Sequence, residues 1–246
     1  MQRDNTEIII TEMNGIHGII ACAGNGSRFA QSVGKISPFP KHLEMVGDKS
    51  VLNYAFEGLV HNIPVESVTF TLNPLLQERY IDHLHELQSE YPNIALSYAP
   101  AREIPGARLF TNIQETLRHG VIMLDGREAD LGNPIAAIAL GDSVITQGNR
   151  DALKQDIDEL LPHIVEGKSF AIFRDPQLKG LMYWLSAVSE LSDGDPHFSR
   201  NAHDYDLRWW NCNTREELLI AQRELGYYPV ENELNSLNYH PGKEAW

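Results

Sequence analysis

Two hydrophobic periods alternate along this chain. Short runs of continuous apolar character at Ile16–Cys22, Ser67–Leu72, Asn93–Tyr98, Ile135–Leu140, Ser169–Phe173 and around Leu207–Cys212 predict buried strands. Between them lie stretches in helical register at Val51–His61, Pro74–Glu90, Leu109–His119, Asp151–Val165, Pro176–Leu191 and Arg215–Leu225. Leu76, Tyr80, Leu84 and Leu87 share one helical face, and Leu153, Ile157, Leu160 and Ile164 share another. Strands alternating with helices predict an α/β fold, a mostly parallel sheet covered by helices on both faces. No internal repeat, low-complexity stretch or Pro/Gly/Ser-rich linker divides the chain. One domain over residues 1–226 is therefore expected, followed by a tail, 227–246, without clear periodicity whose aromatic residues are expected to dock on that domain.

In open α/β sheets ligands gather at the carboxyl ends of the strands. Three polar segments fall at such ends. After the first strand comes Ala23-Gly24-Asn25-Gly26-Ser27-Arg28; after Ile135–Leu140 comes Gly141-Asp142; after the last strand comes Asn213. Gly24 and Gly26 let backbone N–H groups approach an anion. Arg28 and, after a gap of flap-like sequence, Lys41 beside Pro40 can supply fixed positive charge to it. Together the strand, the glycine loop and the two cations form a handle for a nucleoside triphosphate. A dinucleotide-binding G-x-G-x-x-G would need glycine where Phe29 stands, and a P-loop would need G-K-[ST] where Ser27-Arg28 stands. Asp142 also fits a turn or helix N-cap, and Arg28 and Lys41 also fit solvated surface charges. Thr214 with Glu217 matches a capping box, so Asn213 also fits a residue that shapes the strand-to-helix turn. His42 reads as a packing histidine, and His197 and His203 have no metal spacing. Strand alternation splits Trp209 and Trp210 between core and surface. G-x-S-x-G and H-E-x-x-H do not occur.

Composition narrows the class. The 246 residues carry a formal net charge of −14, against the basic face that nucleic acid requires. An acidic protein with anionic substrates needs local cations and a metal to reverse the field inside its cleft. The two cysteines, Cys22 and Cys212, have no CxxC partner and read as buried thiols in a reducing cytosol, so a cytoplasmic location is expected. No apolar run reaches the roughly 20 residues that span a bilayer, and the polar N-terminus lacks a signal-peptide core.

The segment Gly18–Lys41 resembles the A-A-G-x-G-x-R…P-K signature of the nucleotidyltransferase superfamily, with Cys22 in place of the first alanine. Leu43 to Gly47, Leu140-Gly141-Asp142 and Asn213–Leu218 resemble further family segments in family order. The superfamily includes sugar-1-phosphate nucleotidylyltransferases, molybdenum-cofactor nucleotidyltransferases and cytidylyltransferases of small alcohol phosphates. The resemblance implies a Rossmann-like three-layer α/β/α fold and Mg²⁺-dependent transfer of a nucleoside monophosphate to a phosphorylated small molecule, foremost a sugar 1-phosphate. It implies that Ala23, Gly24, Asn25, Gly26, Ser27 and Arg28 bind the nucleotide and that Arg28 and Lys41 are catalytic. It also implies that Asp142 and Asn213 hold Mg²⁺, with Asn211, Asp204 and Asp206 as other candidates for the second oxygen ligand. A molybdenum-cofactor or alcohol-phosphate activity, or a non-catalytic nucleotide-sugar binder, is the alternative. Ala101–Thr111 stands where uridylyltransferases read the base; it carries Gly106 but lacks their Gly-Thr pair. Lys179, Arg200 and Arg208 are cations that could meet an acceptor phosphate.

Overall fold

The computed structural model describes residues 15–124, 126, 134–146, 150–193 and 196–227. Four parallel strands form its centre: β1 (Ile16–Cys22), β4 (Val65–Leu72), β5 (Ala95–Pro100) and β7 (Ile135–Leu140), in the order β7-β1-β4-β5. Beyond β7 the sheet continues through β10 (Leu181–Ala187), antiparallel to its neighbours, then β9 (Ser169–Phe173) and β11 (Phe198–Ala202). Beyond β5 it ends with the short antiparallel β6 (Ile122–Met123), giving eight strands. Cys22 lies opposite Leu72 and Ala21 opposite Leu140, so β1, β4 and β7 end along one edge. That shared edge is what brings distant loops together.

Strand alternation sends successive side chains of β1 to two different cores. Ile16, Ile20 and Cys22 face a large cluster built with helices α2 (Val51–Asn62), α3 (Gln77–Glu90) and α5 (Arg150–Val165), through Leu52, Phe56, Leu84 and Ile157 among others. Ile19 faces a cluster with Phe110 and Ile113 of α4 (Leu109–Arg118) and with Leu191. Helices therefore cover both faces, as the sequence pattern predicts, and the fold is a three-layer α/β/α sandwich. A third cluster joins Phe29 of α1 (Ser27–Ser32), Val46 of the β2–β3 hairpin (Met45–Val46, Lys49–Ser50), Val144 of β8 (Ser143–Ile145), Cys212, and Leu218 of α6 (Arg215–Glu224). This cluster binds the end of the described chain to the loop that follows β1. Here β8 pairs with β12 (Trp209–Asn211) in a separate two-stranded ladder.

One expected element is different. The helix expected at 176–191 is instead strand β10 followed by a 3-10 turn, Val188–Asp193. Lying between β7 and β9, β10 is buried on both faces, so its residues are apolar without strict alternation. An apolar run of this kind fits either period; its length of seven residues and its adjacent Tyr183 and Trp184 suit a strand. The short strands β2, β3, β6 and β8, the strand β11 and the one-and-a-half-turn α1 were not expected, because elements of two to six residues carry too little periodicity to register. The described chain ends on Tyr227, whose hydroxyl donates to Asp48 Oδ1 at 3.0 Å, with its ring against Gly47. The rest of the expected tail, 228–246, lies outside the described residues.

Candidate functional site

β1 ends at Cys22 and the chain turns sharply. Gly26 has φ +61°, and a side chain there would drive its Cβ onto the Phe39 carbonyl oxygen. Only glycine fits that position. Gly24 differs: a Cβ on it would meet no atom within 4 Å, since it borders open space. The residues between Ser32 and Pro40 fold back over the turn. Phe39 N donates to the Asn25 carbonyl at 2.9 Å and Ser37 Oγ to the same oxygen at 3.1 Å, while Asn25 Oδ1 accepts from Asn73 Nδ2 at 2.8 Å. Phe29 stacks on Phe39 with ring centroids 5.5 Å apart. The flap is thus pinned at its far end, and Pro40 delivers Lys41 into the interior.

Lys41 is 7% exposed, unusual for a lysine. Its Nζ donates to Asp142 Oδ2 at 2.5 Å and to Asn213 Oδ1 at 2.6 Å. Three residues far apart in sequence therefore meet at one ammonium group. Asp142 follows β7 by a single glycine, and Gly141 is needed because a Cβ would strike Cys22 Sγ. Pairing of Ser143 with Asn211 and donation from Cys212 N to the Asp142 carbonyl at 2.8 Å lock the two late segments together. The orientation of the Asn213 amide is set from both sides: its Nδ2 donates to Asn211 Oδ1 and its Oδ1 accepts from Lys41. Its backbone is held by the expected capping box, in which Glu217 Oε2 accepts from Asn213 N at 2.7 Å and Thr214 N at 2.8 Å, and Thr214 Oγ1 accepts from Glu217 N. Asp142 Oδ1 is buried without a hydrogen-bond partner among the described residues. An orphaned carboxylate oxygen is costly unless something fills the gap.

These groups open onto a cleft of about 280 Å³ lined by, among others, Ala23, Gly24, Lys41, Thr71, Arg102 and Asp142. Thr71 sits beside Ala21 in register, and its buried Oγ1 is also unpartnered among the described residues. Part of the cleft wall comes from the segment 101–109, through Ala101, Arg102, Glu103 and Leu109. Its backbone is fixed by Ala101 N to the Leu72 carbonyl at 2.7 Å, Arg102 N to Thr116 Oγ1 at 2.9 Å and Ile104 N to Asn112 Oδ1 at 2.9 Å. His42 also reaches the cleft wall. Burial lowers its pKa to about 4, the effect of Asp142 and Lys41 being secondary, so the ring is neutral at pH 7 and pairs through Nδ1 with the Tyr80 hydroxyl at 2.8 Å. Burial also pushes the Cys22 and Cys212 thiols up, reinforced by the Asp142 charge, which keeps both as thiols.

The arrangement brings together Ala23, Gly24, Lys41 and Asp142 at the cleft and Asn213 at Lys41. Asn25, Gly26 and Ser27 shape the loop behind it. Arg28 is exposed on the first turn of α1 and is not among the residues lining the cleft. Asp204 and Asp206 are exposed, while Asn211 meets the site through its Oδ1, which accepts from Asn213 Nδ2, and through its pairing with Ser143. Trp209 and Trp210 are both half-buried, against different cores, rather than divided between core and solvent. Arg208 donates to the Glu224 carbonyl at 2.8 Å, and Arg200 is exposed on β11. The sequence reading missed Thr71, Asn112 and Thr116. Thr71 could have been found as a polar residue at the end of a buried strand; the other two look like ordinary helix residues until the loop they fasten is known.

No protein-family model and no curated protein sequence matches this chain. Solved structures do. One is described as a glucose-1-phosphate thymidylyltransferase from Bacillus anthracis, in complex with sucrose; it is 12% identical with a TM-score of 0.54, over 89% of this chain and 99% of that one. A UDP-glucose pyrophosphorylase complexed with UDP-glucose is 14% identical with a TM-score of 0.53, over 85% and 98%. A UTP-bound UGPase from Acinetobacter baumannii is 10% identical with a TM-score of 0.52, over 89% and 97%. The fold is that of the sugar-1-phosphate nucleotidyltransferases. The resemblance read from four short segments is thus matched by the path of nearly the whole chain.

The donor set fits magnesium in kind. Asp142 and Asn213 offer hard oxygen atoms, and Mg²⁺ is commonly held by one or two carboxylates, with substrate phosphates and water completing its shell. Among the described residues no group of three or more His, Cys, Asp or Glu could cage a metal by itself. A metal here would depend on phosphate oxygens. No helix among the described residues is long and apolar enough to cross a membrane.

Proposed function

We propose that this protein is a nucleotidyltransferase that moves a nucleoside monophosphate from a nucleoside triphosphate to a phosphorylated small molecule, foremost a sugar 1-phosphate, with release of pyrophosphate. The observation that carries this reading is the convergence of Lys41, Asp142 and Asn213 beside the open glycine loop, at the strand ends of a fold whose structural neighbours perform such transfers. The sugar 1-phosphate acceptor follows the neighbours' names.

An acceptor phosphate is largely ionised at pH 7, its second pKa being about 6, so no general base is required. The chemistry needs alignment and charge compensation. The Gly24–Gly26 turn offers backbone N–H groups to the triphosphate. Arg28, on a solvent-exposed turn, closes on the departing pyrophosphate once nucleotide is bound. Lys41 offsets the repulsion between acceptor phosphate and α-phosphate. Asp142 and Asn213 would hold Mg²⁺, which when bound supplies further positive charge to the phosphates. The wall at 101–109 stands where the base would lie; Ala101, Arg102 and Glu103 line the cleft there. The domain reading, catalytic residues 1–226 and tail 227–246, belongs to the same proposal.

The test is pyrophosphate release from each of the four common ribonucleoside triphosphates and dTTP, with Mg²⁺ and a mixed pool of sugar 1-phosphates. Release that depends on both Mg²⁺ and one acceptor supports the proposal. Nucleotide binding without release in any combination would make the protein a binder of the same fold and defeat it.

A further inference from the structure

Lys41 occupies the place where the two proposed metal-binding oxygens converge. Its Nζ lies 2.5 Å from Asp142 Oδ2 and 2.6 Å from Asn213 Oδ1, and the residue is buried at the cleft wall. The charges of these three side chains balance, while the further carboxylate of Glu217 is held by the Asn213 and Thr214 backbone N–H groups. One carboxylate, one neutral amide and one ammonium sum to zero, and the neighbouring His42 is neutral. A neutral cluster has no net attraction for a dication. Asp142 Oδ2 and Asn213 Oδ1 are both already engaged, and a metal that used them would bring two positive charges against a third.

We infer that Lys41 is a built-in counter-cation that keeps the Asp142–Asn213 oxygen pair closed to free divalent cations until a triphosphate draws the ammonium away. The inference rests on the magnesium–triphosphate reading above and adds an order of events to it. Lys41 borders the cleft in which the phosphates would lie, so a triphosphate there offers its ammonium several anionic oxygens in exchange for one carboxylate and one amide. Once Lys41 shifts to them, Asp142 regains an uncompensated charge and Oδ2 becomes free beside the already unpartnered Oδ1. The same lysine is then placed against the phosphates it is proposed to serve. Asparagine at 213 fits this scheme. A second carboxylate there would leave the cluster negative with Lys41 in place, and the metal would bind before the nucleotide.

The experiment measures protein-bound Mn²⁺ by water-proton relaxation enhancement, with and without α,β-methylene triphosphates that bind but do not react. Wild-type protein is expected to hold Mn²⁺ weakly by itself and strongly with the analogue. Lys41→Gln and Asn213→Asp are both expected to bind Mn²⁺ about tenfold or more tightly than wild type in the absence of nucleotide, since each leaves one net negative charge beside the metal. Asn213→Asp keeps Lys41 paired with Asp142 and so guards against a Lys41→Gln variant that fails to fold. Equal nucleotide-free affinity in wild type and Asn213→Asp would overturn the inference while leaving the proposed function intact, provided the analogue still recruits Mn²⁺. No bound Mn²⁺ in wild type even with the analogue would defeat the proposed function itself, and the inference with it.

Discussion

The two glycines of the loop after β1 make a matched pair, and substituting each by alanine separates folding from binding. Gly26 has φ +61°, and its Cβ would fall on the Phe39 carbonyl oxygen, so Gly26→Ala must displace the flap. A left-handed backbone costs a non-glycine residue roughly 1–2 kcal/mol. Disturbing Phe39 also threatens its hydrogen bond to Asn25, worth about 1 kcal/mol. A loss of about 2–3 kcal/mol is expected, which for a domain of this size lowers the melting temperature by roughly 4–12 °C. Gly24 has no such constraint: its φ lies outside the left-handed region and its Cβ would meet nothing within 4 Å. Gly24→Ala should leave stability within about 0.5 kcal/mol or raise it slightly, because alanine restricts the unfolded chain. Yet Gly24 lines the cleft, and its new methyl group would project where the triphosphate is proposed to approach. Displacing bound phosphates by about 1 Å can cost on the order of 10–100-fold in rate or affinity. The assay pairs thermal unfolding of both variants with nucleotide titration monitored by protein fluorescence. If Gly24→Ala bound every triphosphate as wild type does, the loop would not be the anion cradle, and the argument from its open space would fail.

Three further outcomes follow from the geometry. Arg28→Ala should reduce turnover by about 10²–10³ with little change in melting temperature, since the side chain is exposed and is assigned only to the leaving group; unchanged turnover would reject that role. Thr214→Ala should cost about 1 kcal/mol of stability in urea denaturation and weaken Mn²⁺ recruitment, because the capping box also holds the Asn213 backbone; a stability loss with normal metal recruitment would uncouple the cap from the site. His17 and His42 are both buried, and burial lowers each pKa to about 4 from an unfolded value near 6.5. The unfolded chain therefore binds more protons between these values, so stability is full above pH 6.5 and falls as pH drops toward 4, by up to about 3 kcal/mol for each histidine. Urea midpoints at pH 7 and pH 5 measure this, and His17→Gln should remove part of the difference; equal midpoints would contradict the burial of both rings.

Much of the candidate site was visible in the sequence because its polar residues sit at the ends of strongly apolar strands. Ile135–Leu140 could be recognised by its hydrophobicity alone, and that fixed where Asp142 had to lie. Asn213 was singled out by the family resemblance of Asn213–Leu218 at the end of the last expected strand, and the capping box of Thr214 and Glu217, which marks the strand-to-helix turn there, survives into the structure intact. What sequence could not supply was contact across distance. Nothing in the segment around Lys41 indicates that its ammonium reaches two residues more than 100 positions away. The same gap explains the error at 176–191. Whether a doubly buried apolar run is strand or helix depends on the neighbours it packs between, and β7 and β9 decide that only after the sheet has formed. Arg28 shows the opposite case, where the motif is plain but the exposed side chain is not among those lining the cleft it is expected to serve.

The most direct measurement is a crystal structure of the protein grown with Mg²⁺ and a non-reactive triphosphate analogue. The account predicts phosphates against the Gly24–Gly26 backbone, Lys41 moved from Asp142 onto phosphate oxygen, and a metal ion between Asp142, Asn213 and the phosphates. A triphosphate bound elsewhere, or bound in the cleft with Lys41 still held by Asp142 and Asn213 and no metal beside them, would contradict it.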